Sequence, residues 1–523
     1  MSQNFIRHAA AALLVLAAAF GDAQGQLRGL GGGTGIGGIG GLGGSAIPGN
    51  SAIPNLGNPS GMPDPLAPGG SVLDRGLPTP NSRDVFDPLY GRTREILDGN
   101  PVGSIERGAL GVGKDLGARA GAAVLPGGNR PRTSRLPPAG ERRFVSNEVI
   151  VSLPSTASPQ TLDTLIRRHR LTRLQSWNVA LTGTSFHRLQ ISDGRSVSDV
   201  IREIDRAGGV GLAQPNYRFT LQQAPPARGS SSSQYSLGKL NVSEAHRLTT
   251  GAGVPVAIID NGIDALHPEL AGAIAGRFDA VERLEPPSSH GTGMAGAIAA
   301  HARLIGVAPA ARILAVRAFG AAAGSEEATT ISIVRGIDWA ITHGARVISM
   351  SFAGPRDPEI ASALEAAAKH GTVLVAAAGN AGPKSAPLYP AADPNVIAVT
   401  ATDAEDNLFV HSNRGRHIAV AAPGVDIIVP APGGTYQFTT GTSVAAALVS
   451  GIAALLIELN PRLNSPQIKN VLLATAKDLG PKGRDDQFAA GLADAYRAAQ
   501  AVTASAQRSP VTTVSTGRTL SLP

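Results

Sequence analysis

From Gln234 onward, five apolar runs rich in Val and Ile occupy residues 254–260, 313–319, 347–352, 372–378 and 396–400. Segments of helical spacing at 290–302, 326–343 and 358–370 lie between them. Runs that are apolar throughout, rather than alternating, belong to strands buried on both faces. Strands of that kind alternating with helices imply an α/β fold with a doubly wound, mostly parallel sheet. In such sheets a ligand site lies at the carboxyl ends of the strands. Asp260 ends the first run, and Asn380 closely follows the fourth.

The chain before this region has a different texture. Residues 148–153 (EVIVSL) and 185–191 (SFHRLQI) alternate as strands do, and further strands are expected near 174–181 and 211–219. Residues 161–169 have helical spacing, and in 196–207 Val197, Val200, Ile201 and Ile204 fall on one helical face. The order is β-α-β-β-α-β, a small α+β ferredoxin-like domain. PPARGSSSS (225–233) reads as a linker. Residues 24–142 are Gly- and Pro-rich, as in GLGGGTGIGGIGGLGG at 29–44, and too poor in large apolar side chains to offset their ordering entropy. Residues 1–23 have a polar start, the apolar run AAAALLVLAAAF and small residues at Gly21 and Ala23, the pattern of a cleavable export signal. The expected organisation is a signal at 1–23, a disordered linker at 24–142, a small domain at 143–226, the α/β domain at 227–502 and a disordered tail at 503–523.

There is no cysteine, which excludes disulfides, thiolate catalysis and Cys-ligated zinc. The net charge of +7 is uneven: residues 234–503 hold 20 Lys and Arg against 23 Asp and Glu, or −3. A basic nucleic-acid surface on this domain is therefore not expected. No stretch after the signal is read as a membrane span, so export to the periplasm, cell surface or medium is expected.

Three segments carry chemistry. VAIIDNGID (256–264) is a buried strand ending in an acid, HGTGMAG (290–296) opens a helix, and GTSVAAALVSG (441–451) puts Ser443 at the start of another. A serine hydroxyl needs a base to become a nucleophile. Histidine titrates near neutrality, and a buried carboxylate orients it. A helix N-terminus adds N–H groups near a developing oxyanion. Asn380, in AAAGN (376–380), is a plausible further donor. Asp260, His290 and Ser443 are thus the candidate catalytic residues.

With these segments in the order Asp260, His290, Asn380, Ser443, the chain resembles the subtilase family of serine proteases. The separations are 290−260=30, 380−290=90 and 443−380=63. Further subtilase-like phrases fall in order: HPEL (267–270), GVAP (306–309), SMSFAG (349–354), YPA (389–391), APGV (422–425) and GLADA (491–495). The resemblance covers roughly residues 234–502. It implies a serine endopeptidase that forms an acyl-enzyme, with Asn380 in the oxyanion hole and protein or peptide substrates. It places Ser351, Phe352, Ala353 and Gly354 on the edge strand that pairs with substrate, and Ala377, Ala378 and Gly379 along the pocket for the residue before the cut. Residues 143–219, ending in QPNY, resemble a subtilase propeptide, which implies an intramolecular chaperone and inhibitor cut off by the enzyme itself. Their charge, 10 basic against 6 acidic or +4, complements the −3 of the larger domain.

Some positions depart from the family pattern. Gly293 follows HGT where His is usual, and Ala447 and Leu448 replace a common Pro-His. The 300–306 loop is shorter than the calcium-binding loop of bacterial subtilisins, and Glu269 stands at the position of a calcium-ligating Asp. No cofactor or metal is expected, and a structural calcium is unsupported. Leu388 falls where a small residue often borders the specificity pocket. Two rivals are a non-catalytic subtilase-like binding protein and an α/β-hydrolase esterase. The esterase would show G-x-S-x-G and the order Ser…Asp…His, whereas Ser443 lies in GTSVA and comes last.

Overall fold

A computed structural model describes residues 135–208, 211–224, 234–282, 285–322 and 325–508. The expected signal, nearly all of the 24–142 segment, the 225–233 linker and the end of the chain lie outside the described residues.

The small domain runs β1 (Phe144–Pro154), α1 (Pro159–His169), β2 (Leu171–Val179), β3 (Thr184–Ile191), α2 (Val197–Arg206) and β4 (Leu212–Leu221). Its antiparallel sheet has the order β2-β3-β1-β4, the ferredoxin-like topology expected. The Ser196 hydroxyl caps α2 by accepting the Asp199 N–H, and Val197, Val200, Ile201 and Ile204 are buried. They form a core with Val149, Val151 and Leu189 on the helix-covered face. The period of two sends the intervening Ile150 to the other face, with Val179, Phe186 and Tyr217. That face packs on Ile331, Ile337 and Leu364 of the larger domain.

The larger domain begins with two short helices, α3 (Tyr235–Lys239) and α4 (Val242–Ala245), then β5 (Pro255–Asp260), β6 (Ile274–Asp279), α5 (Ser289–Ala299), β7 (Arg312–Arg317), β8 (Gly320–Ala322), β9 (Ser325–Thr329) and α6 (Thr330–Thr342). It continues with β10 (Val347–Met350), β11 (Phe352–Ala353), α7 (Pro358–Lys369), β12 (Val373–Ala377), β13 (Val396–Thr402), β14 (Ile418–Pro423), β15 (Ile427–Ala431), β16 (Thr435–Thr439), α8 (Thr442–Leu459), α9 (Ser465–Thr475) and α10 (Ala495–Arg508). The main sheet has the order β14-β13-β12-β10-β5-β7-β6, every pair parallel. One face carries α5, α8 and α10, and the other α6 and α7. The doubly wound α/β class follows.

Three local readings change. Residues 326–329, expected to open a helix, form β9 instead, because their backbone pairs with β4. Helix α10 runs on past residue 503, where a disordered tail was expected; Thr503 and Ser505 hydroxyls bond back to the Ala499 and Ala501 carbonyls. Helix α8 is long and apolar enough to cross a membrane by length and composition, a feature passed over in the sequence. It is a core helix: Thr442 to Ile457 are buried against the sheet and its neighbours.

Candidate active site

Asp260 ends β5, and His290 sits in the first turn of α5, both almost fully buried. The His290 Nδ1 lies 2.7 Å from Asp260 Oδ1. The same carboxylate oxygen accepts the Asn261 N–H at 2.8 Å, which fixes its plane. Asn261 adds a brace that the sequence did not flag. Its Oδ1 accepts the Gly291 N–H at 2.8 Å, and its Nδ2 donates to Ser288 and Glu326 at 2.6 and 2.7 Å. A Cβ on Gly291 would meet that Oδ1 at 2.7 Å, so the glycine lets helix and strand end approach. This arrangement leaves His290 Nε2 as the free ring nitrogen, with no hydrogen-bond partner among the described residues.

Ser443 opens α8 from the other side of the cleft. Its hydroxyl donates to the Gln222 carbonyl at 2.5 Å, with the Ser351 carbonyl at 3.1 Å. Asn380 is held by α8: its Oδ1 accepts the Thr442 N–H at 3.1 Å and the Thr442 hydroxyl at 2.9 Å. A backbone N–H requires an oxygen, so this contact fixes the amide orientation and turns Nδ2 the other way. That Nδ2 has no hydrogen-bond partner among the described residues. It and the Gln222 carbonyl oxygen lie 2.9 and 2.6 Å from the point a Gly441 Cβ would occupy. Gly441, at φ +148, therefore keeps open the space between an unspent donor and a peptide carbonyl.

The cleft is filled by the chain's own segment. Strand β4 leaves the small domain and inserts between β9 and β11: Phe219 pairs with Ala328, Thr220 with Glu327 and Ala353, and Leu221 with Phe352. Gln222 donates its N–H to the Ser351 carbonyl at 3.0 Å, and beyond the cleft Ala224 donates to the Thr440 carbonyl at 2.8 Å. Ser351, Phe352 and Ala353 thus stand beside a paired peptide. Gly354 instead bonds to Tyr389 in both directions, and its bare α-carbon receives the Phe219 ring, which a Cβ would meet at 2.3–2.9 Å. Phe219 also packs edge-on against Phe352, with centroids 6.1 Å apart. Ala377 and Ala378 are buried, and Gly379, at φ +110, has Leu388 Cδ1 2.9 Å from its missing Cβ. Leu388 therefore borders the same wall. The second flank, β9, was missed because SEEATT carries no apolar alternation, and its strand form comes from pairing alone.

Polar groups seal the small domain to the larger one. Gln214 Nε2 and the Thr330 hydroxyl donate to Asp357 at 2.9 and 2.6 Å, and Asp357 also caps α7. Burial pushes the Asp357 carboxyl above its usual range, against the pull of these donors. Arg135 pairs with Glu359, and the Leu181 N–H donates to Asp338 at 2.7 Å.

Residues 251–491 match the subtilase family, and residues 131–216 match the fervidolysin N-terminal prodomain. Thermitase of Thermoactinomyces vulgaris is 37% identical over 278 residues, 52% of this chain and 97% of its own. The chain belongs to the subtilase family. Subtilisin E of Bacillus subtilis (strain 168) is 37% identical over 260 residues, 48% of this chain and 67% of its own. The crystal structure of fervidolysin from Fervidobacterium pennivorans, a keratinolytic enzyme related to subtilisin, superposes with a TM-score of 0.60 at 25% identity, covering 68% of this chain and 61% of that one. This subtilase is a serine endopeptidase preceded by a prodomain.

Proposed function

We propose that the protein is an exported zymogen that cuts itself between Gln222 and Gln223. Ser443 attacks the Gln222 carbonyl carbon while His290 Nε2 takes its proton, and Asp260 holds the imidazole and offsets its charge. The Asn380 Nδ2 and the Ser443 N–H stabilise the oxyanion. His290 then protonates the amine of Gln223, leaving an acyl-enzyme that water hydrolyses. After release of residues 143–222 the same cleft, from Ser351 to Gly354 and along Ala377, Ala378 and Gly379, takes protein or peptide substrates. The observation that carries the reading is the Gln222 carbonyl 2.5 Å from Ser443 Oγ, with backbone pairing on both sides of the bond. Export rests on the signal-like residues 1–23.

Intact-mass analysis of the purified full-length protein beside its Ser443→Ala variant tests this. The expected native product begins at Gln223, while the variant stays whole at that bond. Equal cutting in both removes the proposed self-processing, and a native-only cut elsewhere removes Gln222–Gln223 as its site.

A further inference from the structure

The family resemblance raises a calcium ion at the 300–306 loop. The chemistry of the groups that meet there does not suit one. A calcium ion requires six to eight oxygen ligands. The Glu269 carboxylate, fully buried, instead faces donors only. Its Oε2 accepts the Ala302 N–H at 2.9 Å, and its Oε1 accepts the N–H groups of Arg303 and Leu304 at 2.8 and 2.9 Å and the Tyr436 hydroxyl at 2.8 Å. Three successive N–H groups converging on one point form a receptor for an anion, and their positive ends would repel a cation. Gln234 completes the loop: its Oε1 accepts the Ile305 N–H at 3.1 Å and its Nε2 donates to the Ile305 carbonyl at 2.9 Å. Four consecutive residues, 302 to 305, are thus held by two side chains.

We propose that Glu269 and Gln234 form a metal-free clasp that does the work of a bound cation, so that this loop is held without any divalent ion. The clasp has a second consequence. Gln234 is the first described residue after the 225–233 linker. Its tie to Ile305 anchors the start of the larger domain whether or not the chain is joined to the prodomain. Hydrogen bonding outweighs burial at Glu269 and holds its carboxyl below the usual range, which keeps it ionised for this task.

The test uses the full-length chain carrying Ser443→Ala, so that proteolysis does not intrude. Its thermal unfolding midpoint is measured in excess EDTA and in excess calcium chloride, with and without Glu269→Gln. The clasp requires the parent midpoint to be the same in both media. It requires Glu269→Gln to lower the midpoint in both alike, by roughly 2–4 °C or more. A calcium-dependent rise in the parent that vanishes in Glu269→Gln overturns the proposal, and so does an unmoved midpoint in that variant. Should Glu269→Gln fail to fold, Gln234→Ala carries the same comparison: an equal fall in both media supports the clasp, and loss of a calcium response sinks it.

Discussion

The main parallel sheet and the sheet of the small domain are buried in different ways. The strands of the main sheet inside its β6 edge are covered on both faces by helices of their own domain. The small sheet has its own helices on one face only, and its other face, with Ile150, Val179 and Phe186, rests on α6 and α7 of its partner. The first is a self-sufficient core. The second is half a core of its own and half an interface, so its stability is tied to the enzyme it covers. Strand β4 makes the tie physical, since its first half pairs with β1 and its second half lies in the cleft.

Several substitutions break or sharpen this contrast. Ser443→Ala lowers the rate of the proposed cut after Gln222 by on the order of 10⁶, while leaving both sheets as folded, which intact-mass analysis and circular dichroism check. On the proposed mechanism Asn380→Ala removes one oxyanion donor and costs on the order of 10²–10³ in kcat; steady-state assays that find KM unchanged separate this from a packing defect. Ile201→Val and Ile150→Val are a matched pair, each costing about 0.5–1.5 kcal/mol. In the Ser443→Ala protein, hydrogen exchange for Ile201→Val should quicken across the small sheet and its helices. Ile150→Val should quicken exchange in α6 and α7 as well, because its methyl group is shared. If both variants give the same pattern, the small domain is not divided between two cores.

The smallest effect concerns pH. The Glu458 carboxylate accepts N–H groups from Thr250, Gly251 and Ala252 at 2.8, 2.6 and 2.9 Å and the Thr249 hydroxyl at 2.6 Å. Burial raises its proton affinity, but these donors outweigh burial and hold the carboxyl below its usual range. A depressed folded pKa gives stability that is present above the unfolded carboxylate range and is lost as pH falls through the folded value. Glu458→Gln should therefore flatten the acid limb of a midpoint-against-pH curve and leave the neutral region lower. An acid limb of unchanged slope would show that the carboxylate is not the titrating group.

How much of this was legible in the sequence depended on where each residue finds its partner. Apolar runs announced the central strands, because burial on both faces is a local pattern. Val197, Val200, Ile201 and Ile204 announced α2 for the same reason. Strand β9 did not announce itself, since it carries no apolar alternation and takes its form from pairing, with the neighbouring β8 and with β4 more than a hundred positions away. Residues 418–423, β14, were likewise passed over, their Ala-rich run giving a weak strand signal. Asp260, His290, Asn380 and Ser443 could be named from motif and order. The braces around them could not: Asn261, Gly291, Thr442 and Gly441 act through distances that only the folded backbone sets. Gln222, the proposed point of cleavage, was not singled out, because a peptide that lies in a cleft has no sequence signature of its own. It is defined by what it lies against.

The pinning of residues 220–224 on both sides of Ser443 bears on the direction of the proposed reaction itself. In the proposed cut, once Gln222 is an acyl group, the new amine of Gln223 would still be tethered by the neighbouring Ala224–Thr440 contact. A nucleophile held in place in this way has an effective concentration far above that of any free amine. In the proposed reaction, resynthesis of the bond would then compete with water for as long as that contact lasts. Departure of the new chain end from Thr440 is what would make the proposed cut one-way, so that this release, as well as the chemistry, governs when the cut becomes final.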